Sequence, residues 1–231
     1  EAADHPTARA PVPPPPDWET WAAQLAEAWA AARHIPAVSA SGLEGTDPEL
    51  VFAPTEHDPG LAKAARNVEL PPWPKGRYGT AIGSAVHAVL QTIDLTTGHG
   101  LDGAVTAACL AEGISERSDL VAALTRSALD SDLVKRAAAR PHWRESWAAT
   151  VDDDGRIIEG IVDLMYREDD GRIVIVDYKT DAVPAAAVAA RVAHYQPQLR
   201  AYGTILAAAT AAQPRSCLLF LHPTGSYEEW L

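Results

Sequence analysis

The chain is poor in cysteine and in basic residues, and it has no long apolar run. Its two cysteines, Cys109 and Cys217, are too few for a disulfide scaffold or for a cluster that needs four thiolates, so no iron–sulfur centre is expected. They read as small core residues in a reducing compartment. No stretch reaches the roughly 18 apolar residues that cross a bilayer, which makes the expected setting soluble and cytoplasmic, with no membrane partner. The start, Glu1-Ala2-Ala3-Asp4, has neither a methionine nor a charged-then-apolar leader, as expected of a piece of a longer polypeptide. Acidic residues outnumber Lys and Arg by 31 to 19, a net charge of −12. That balance argues against a general polyanion binder, because phosphate contacts normally rest on a Lys/Arg surface. It leaves open acidic residues gathered round a cation, or charge that merely keeps an Ala-rich chain in solution.

What is present is a chain of 231 residues, 47% hydrophobic, enough for one large domain with a substantial core. Residues 1–17 hold Pro11-Val12-Pro13-Pro14-Pro15-Pro16, which favours polyproline II and reads as a semi-rigid linker or tail. The remainder, 18–231, is expected to form one domain, helical over 18–140 and carrying its sheet and flanking helices over 141–231. Trp18 to Arg33 is helical by propensity with Asp17 as N-cap, and its Trp18, Trp21, Leu25 and Trp29 fall on one stripe. From Ser39 to Pro59 loop signals dominate. Helices are expected near 80–92, 101–113, 116–139, 184–193 and 195–212. Residues 144–179 are dense in Ile, Val, Tyr and Trp and read as a three-stranded meander, and Ser216 to Leu221 reads as a strand buried on both faces. The sum is an α/β sandwich with a mixed central sheet and a helical N-terminal extension.

The chemistry concentrates in Gly160-Ile161-Val162-Asp163 and Ile173-Val174-Ile175-Val176-Asp177-Tyr178-Lys179. Strand side chains alternate faces, so Asp177 and Lys179 share one. A carboxylate extending an apolar run must be paired, hydrogen-bonded or metal-bound. Asp169-Asp170-Gly171 suits a three-residue hairpin loop closed by a left-handed glycine, a register in which facing residue numbers sum to 340. Asp163 then lies opposite Asp177, with Cβ atoms about 4.5–5.5 Å apart. A two-residue Asp-Gly turn would shift the sum to 341 and turn Asp163 away. Two carboxylates so close call for a cation, and Mg²⁺ prefers such oxygen ligands, to which the Tyr178 backbone carbonyl could add one. Lys179 beside them can hold an attacking water and offset charge on phosphorus. The bland reading of Asp-x-Lys is a surface ion pair contributing about 0–1 kcal/mol.

Gly83-Ser84-Ala85-Val86-His87, Gly160-Ile161-Val162-Asp163, Asp177-Tyr178-Lys179-Thr180-Asp181 and Gln198-Leu199-Arg200-Ala201-Tyr202 come in the order of the RecB/AddA-type nuclease module. The chain resembles that module, of the PD-(D/E)XK superfamily, over residues 73–222; Val38-Ser39-Ala40-Ser41 looks like its entry segment. The resemblance implies a restriction-endonuclease-like fold and a Mg²⁺- or Mn²⁺-dependent deoxyribonuclease behind a UvrD-like helicase. It makes Asp163 and Asp177 metal ligands, Lys179 catalytic, and His87 a further ligand, while Gln198 and Tyr202 would line the DNA path. Some relatives carry a four-cysteine iron–sulfur cluster, from which this chain departs.

Several residues support the reading less specifically. Glu145 opens the first meander strand and could back up the metal. Gln198 and Tyr202 are i and i+4 on one helix face. Lys75 and Arg77, in Trp73-Pro74-Lys75-Gly76-Arg77-Tyr78-Gly79, form a small basic loop able to hold a phosphate. Asp152-Asp153-Asp154-Gly155 reads as a hairpin turn rather than a calcium loop. Rival expectations are a decayed module that grips DNA or docks a helicase without cutting, and a metal hydrolase of a small phosphorylated substrate.

Overall fold

The computed structural model describes residues 17–32, 37–44, 81–180 and 188–231. Two compact units emerge, residues 1–36 and 37–231. In the first, helix α1 (Trp18–Ala32) starts at Asp17, whose carboxylate accepts hydrogen bonds from the Thr20 amide and hydroxyl at 2.9 and 2.8 Å, the N-cap that its sequence announces. Its stripe is exposed, Trp18 at 74% and Trp29 at 61%.

The second unit is built on a six-stranded mixed sheet. Its strands are β1 (Ala37–Ser39), β2 (His142–Val151), β3 (Ile157–Arg167), β4 (Ile173–Lys179), β5 (Arg215–His222) and β6 (Gly225–Trp230). The order is β1-β3-β4-β5-β6, with β2 on the far edge of β3. The β1–β3 and β4–β5 pairs are parallel and the others antiparallel. Helices α2 (Ala81–Thr92), α3 (Leu101–Glu112), α4 (Ser118–Asp130) and α5 (Asp132–Ala138) share a core with one face of the sheet. Helix α6 (Val188–Thr210) and the short 3-10 turn Ala40–Leu43 cover the other. This is the expected helix–sheet–helix sandwich, with β1 and β6 added to the strands that the hydrophobic pattern indicates. Both are short, and β6 (Gly-Ser-Tyr-Glu-Glu-Trp) lacks a β-branched run.

Two helix boundaries differ from expectation. The stretch 116–139 divides at Ser131, whose extended backbone ends α4 and whose hydroxyl caps α5 by accepting from the Val134 amide. Among the described residues, 188–210 is one helix with Pro197 inside it. Proline removes one internal hydrogen bond, but Tyr195, Leu199, Tyr202 and Ile205, on either side of it, are all buried in one core. That burial outweighs the lost bond.

Hairpin register follows from the turns. Gly171 takes φ +87°, its amide bonds to Glu168 O at 2.9 Å, and Glu168 N bonds to Arg172 O at 2.9 Å. The loop is therefore three residues long, and β3 meets β4 as Leu164↔Val176 through Arg167↔Ile173, the register summing to 340. Asp152–Gly155 closes the β2–β3 hairpin in the same way, with the Asp152 carboxylate accepting from the Asp154 and Arg156 amides.

Strand β3 carries an irregularity that positions the site. β1 pairs with Ile157–Glu159 and β4 with Leu164–Arg167 on the same edge, leaving Gly160–Asp163 without a strand partner there. On the other edge the β2 ladder skips one pair, Glu145 with Asp163, and Glu145 adopts φ +46°. The pleat turns over at that point. Leu164 and Tyr166 bury against α2–α5, whereas Val162 and Ile158 pack on the α6 side. A non-glycine residue with positive φ in a strand is strained, and here it sits where the acids gather.

Candidate active site

The slit in the edge of β3 is lined from both layers. From the α2 side comes His87, on the turn after Gly83. Its Nδ1 lies 3.3 Å from Asp163 Oδ1 and 3.7 Å from Glu145 Oε1, and its Nε2 is 3.2 Å from the Tyr178 carbonyl. Among the described residues, His87, Glu145 and Asp163 form a group whose donor atoms all lie within 4.8 Å of one another. Asp163 Oδ2 accepts the Tyr178 amide at 2.7 Å, replacing the ladder hydrogen bond lost where β3 and β4 part. Burial disfavours the His87 imidazolium, but the Asp163 and Glu145 carboxylates outweigh it and raise its pKa to about 10. Its imidazole, two carboxylates and backbone carbonyl suit a divalent metal.

From the α6 side comes a second, closed network. Lys179 Nζ contacts Asp177 Oδ2 at 2.7 Å and donates to Gln198 Oε1 at 2.9 Å. Gln198 Nε2 donates to Tyr202 Oη at 3.3 Å, and Tyr202 Oη donates to Ile161 O at 2.7 Å, inside the slit. The Lys179 ammonium also stands 4.0 Å from the centroid of the Tyr195 ring. Burial works against that ammonium, yet Asp177 and Glu44 together push its pKa above the ordinary lysine value. Asp177 is only 2% exposed. Burial raises its pKa; Lys179 opposes the rise and the Asp163 charge adds to it.

The expected cross-strand pair is therefore modified. Asp177 and Lys179 share a face as alternation requires, but the ladder stops at Leu164↔Val176, one pair before the two aspartates would face each other. Because the pleat inverts at Asp163, its carboxylate goes to His87 and the Tyr178 amide while Asp177 stays with Lys179. The three-donor group does not include Asp177. Gln198 and Tyr202, expected along the DNA path, are 4% and 3% exposed. Their polar atoms are committed to Lys179 and Ile161, so in this structure they brace the lysine from inside. Lys75 and Arg77 lie outside the described residues.

Two parts of the site are not apparent from sequence, and a third has a reason that only the structure gives. Glu44 lies 4.0 Å from Lys179 and 3.4 Å from His194 Nε2, and no local pattern marks it. Tyr195 has the spacing of a core residue and is also the ring beneath Lys179. Gly160 has a steric reason: a Cβ there would come within 2.6 Å of the Tyr202 ring and 3.0 Å of Ala40 Cβ. The phenol can reach Ile161 O only across a bare backbone.

Comparison with known proteins agrees with this architecture. The profile of the PD-(D/E)XK nuclease superfamily matches residues 61–226. An ATP-dependent helicase/nuclease subunit from Desulforudis audaxviator is 30% identical over 175 residues, covering 66% of this chain and 14% of that protein. The protein of the same name from Lachnoclostridium phytofermentans is 48% identical over 50 residues, 22% of this chain and 4% of its own length. That from Alkaliphilus oremlandii is 35% identical over 69 residues, 30% and 6% respectively. The chain thus spans a small fraction of the relatives it matches. With its mixed sheet, its Asp-x-Lys on β4 and its match over more than half its length, the chain belongs to the PD-(D/E)XK nuclease superfamily, as a module of the RecB/AddA type.

Proposed function

We propose that the chain hydrolyses DNA phosphodiester bonds with a bound Mg²⁺ or Mn²⁺, as the exonuclease arm of a helicase–nuclease in DNA repair. The observation that carries this reading is the convergence of His87, Glu145, Asp163 and the Tyr178 carbonyl at a slit beside Asp177 and Lys179. His87, Asp163, Asp177 and the Tyr178 carbonyl would hold the cation, with Glu145 at its edge. When bound, the cation supplies Lewis acidity toward water and phosphate oxygen. The chain's own groups do the rest. Lys179, held as an ammonium by Asp177 and Gln198, orients the attacking water and neutralises charge developing on phosphorus. Gln198 and Tyr202 keep it there. Lys75 and Arg77 are proposed as phosphate contacts. The helicase partner rests on the names of the relatives, and the −12 charge fits a module to which a partner delivers DNA.

The test is incubation with end-labelled single- and double-stranded DNA, with and without Mg²⁺ or Mn²⁺. Degradation that requires metal and disappears in Asp177→Ala and in Lys179→Ala supports the proposal. DNA binding that survives EDTA, with no cleavage at any metal concentration, replaces it with a decayed module that only grips DNA or docks a helicase.

A further inference from the structure

Lys179 is flanked by two carboxylates, not one. Asp177 is the near one, at 2.7 Å, and Glu44 the far one, with Oε1 at 4.0 Å. Glu44 ends the 3-10 turn after β1, and its side chain is 16% exposed. Its other oxygen lies 3.4 Å from Nε2 of His194, a residue 7% exposed whose ring nitrogens make no hydrogen bond. An ammonium has three N–H donors. Gln198 takes one as a hydrogen bond and Asp177 meets the ammonium as an ion pair at 2.7 Å, while Glu44 and the face of Tyr195 stand on its other side, both at 4.0 Å.

This arrangement matters because Lys179 and a bound cation would both draw on Asp177. A lysine bound wholly to Asp177 competes with any cation for that carboxylate. A second carboxylate on the far side of the ammonium shares its charge and weakens the competition. We infer that Glu44, beside His194, is a positioning residue that draws Lys179 off Asp177 and so leaves Asp177 available to the cation. This rests on the proposed metal-dependent reading, and it goes beyond it by giving the β1 side of the fold a part in setting the site. Glu44 is not a ligand in this scheme. It acts through the lysine, and that is what distinguishes it from an acid that simply adds field.

A double-mutant cycle separates the two roles. Mn²⁺ affinity would be measured by electron paramagnetic resonance for the wild type, Glu44→Gln, Lys179→Ala and the double variant, with thermal melting to verify folding. With Lys179 present, Glu44→Gln should weaken Mn²⁺ binding about threefold to tenfold, below the roughly 10–100-fold typical of partners bonded directly to a metal ligand, because Glu44 acts through the lysine. With Lys179 already removed, the same change should matter less than about twofold. Equal losses in both backgrounds would show Glu44 acting on the cation directly, and no loss in either would show it idle; each overturns the inference. The Lys179 ζ-ammonium resonance in a ¹H–¹⁵N spectrum, recorded without metal, gives an independent readout. It should shift or broaden in Glu44→Gln and respond more weakly in His194→Ala. If the wild type bound no Mn²⁺, the metal-dependent reading would fail, yet this resonance would still report whether Glu44 holds the lysine. An unchanged resonance in Glu44→Gln would reject that hold.

Discussion

The two halves of the site are built on opposite principles. On the α6 side, Asp177, Lys179, Gln198, Tyr202 and Ile161 O form a chain in which successive groups lie 2.7–3.3 Å apart. Charge meets charge and donor meets acceptor. On the α2 side, Glu145 and Asp163 converge on one histidine at 3.3–3.7 Å, an excess of acceptors that only a proton or a cation can balance. The first half is mostly paired, with Asp177 Oδ2 lacking a hydrogen bond and meeting Lys179 as an ion pair, whereas the second carries strain, with Glu145 at φ +46°. A fold tolerates such a place when surrounding structure over-determines it, and here the regular β2–β3 ladder on both sides of Glu145 does so. Cation binding is therefore expected to centre on the strained side, with Asp177 reaching it from the other, and orientation on Lys179 and its braces.

That division can be broken experimentally, and the largest effects are expected on catalysis. Asp163→Ala and Lys179→Ala should each lower DNA cleavage by at least about 10²-fold, but only Asp163→Ala should also abolish Mn²⁺ binding; steady-state rates and a metal titration would tell them apart. Next comes the pH dependence. The His87 pKa is raised to about 10, so a cation bound there would displace a proton, and Mn²⁺ affinity should rise with pH by up to about tenfold per unit across neutrality. Without cation the same shift stabilises the fold. That contribution is full below the ordinary histidine value of 6.5 and is lost as pH rises through about 10. Calorimetry in buffers of different ionisation enthalpy measures the released proton, and a pH-independent affinity would contradict this.

Smaller effects test the packing. Gly160→Ala places a methyl against the Tyr202 ring and should destabilise the fold by about 1–3 kcal/mol, read as a lower urea midpoint. Cleavage should fall with it, because the same phenol braces Gln198 and Lys179. Glu145→Gly should do the reverse. Relief of the positive φ should raise stability by up to about 1 kcal/mol while Mn²⁺ affinity drops severalfold. A variant that lost both would place the strain elsewhere.

The two halves also differ in how far sequence reveals them. Asp177 and Lys179 are legible because strand alternation is local, and the Asp169-Asp170-Gly171 turn sets the register to Leu164↔Val176. The inversion at Glu145 and Asp163 is not, because both strands keep their count through it and neither residue is a glycine or proline. Gln198 and Tyr202 do share one helix face, but sequence spacing does not show whether that face meets solvent or the sheet. Glu44 reaches Lys179 across the fold from a turn without periodicity, and only tertiary structure brings the two together.

The most direct test of the account is Mn²⁺ binding to the chain in the absence of DNA, compared between the wild type, Asp163→Asn and Asp170→Asn. Asp170 is paired with Arg172 in the β3–β4 turn at 2.6 Å and serves as a matched acid outside the slit. Saturable binding that Asp170→Asn retains and Asp163→Asn loses is the predicted result. Equal binding by all three proteins would mean that the slit in β3 does not hold the cation.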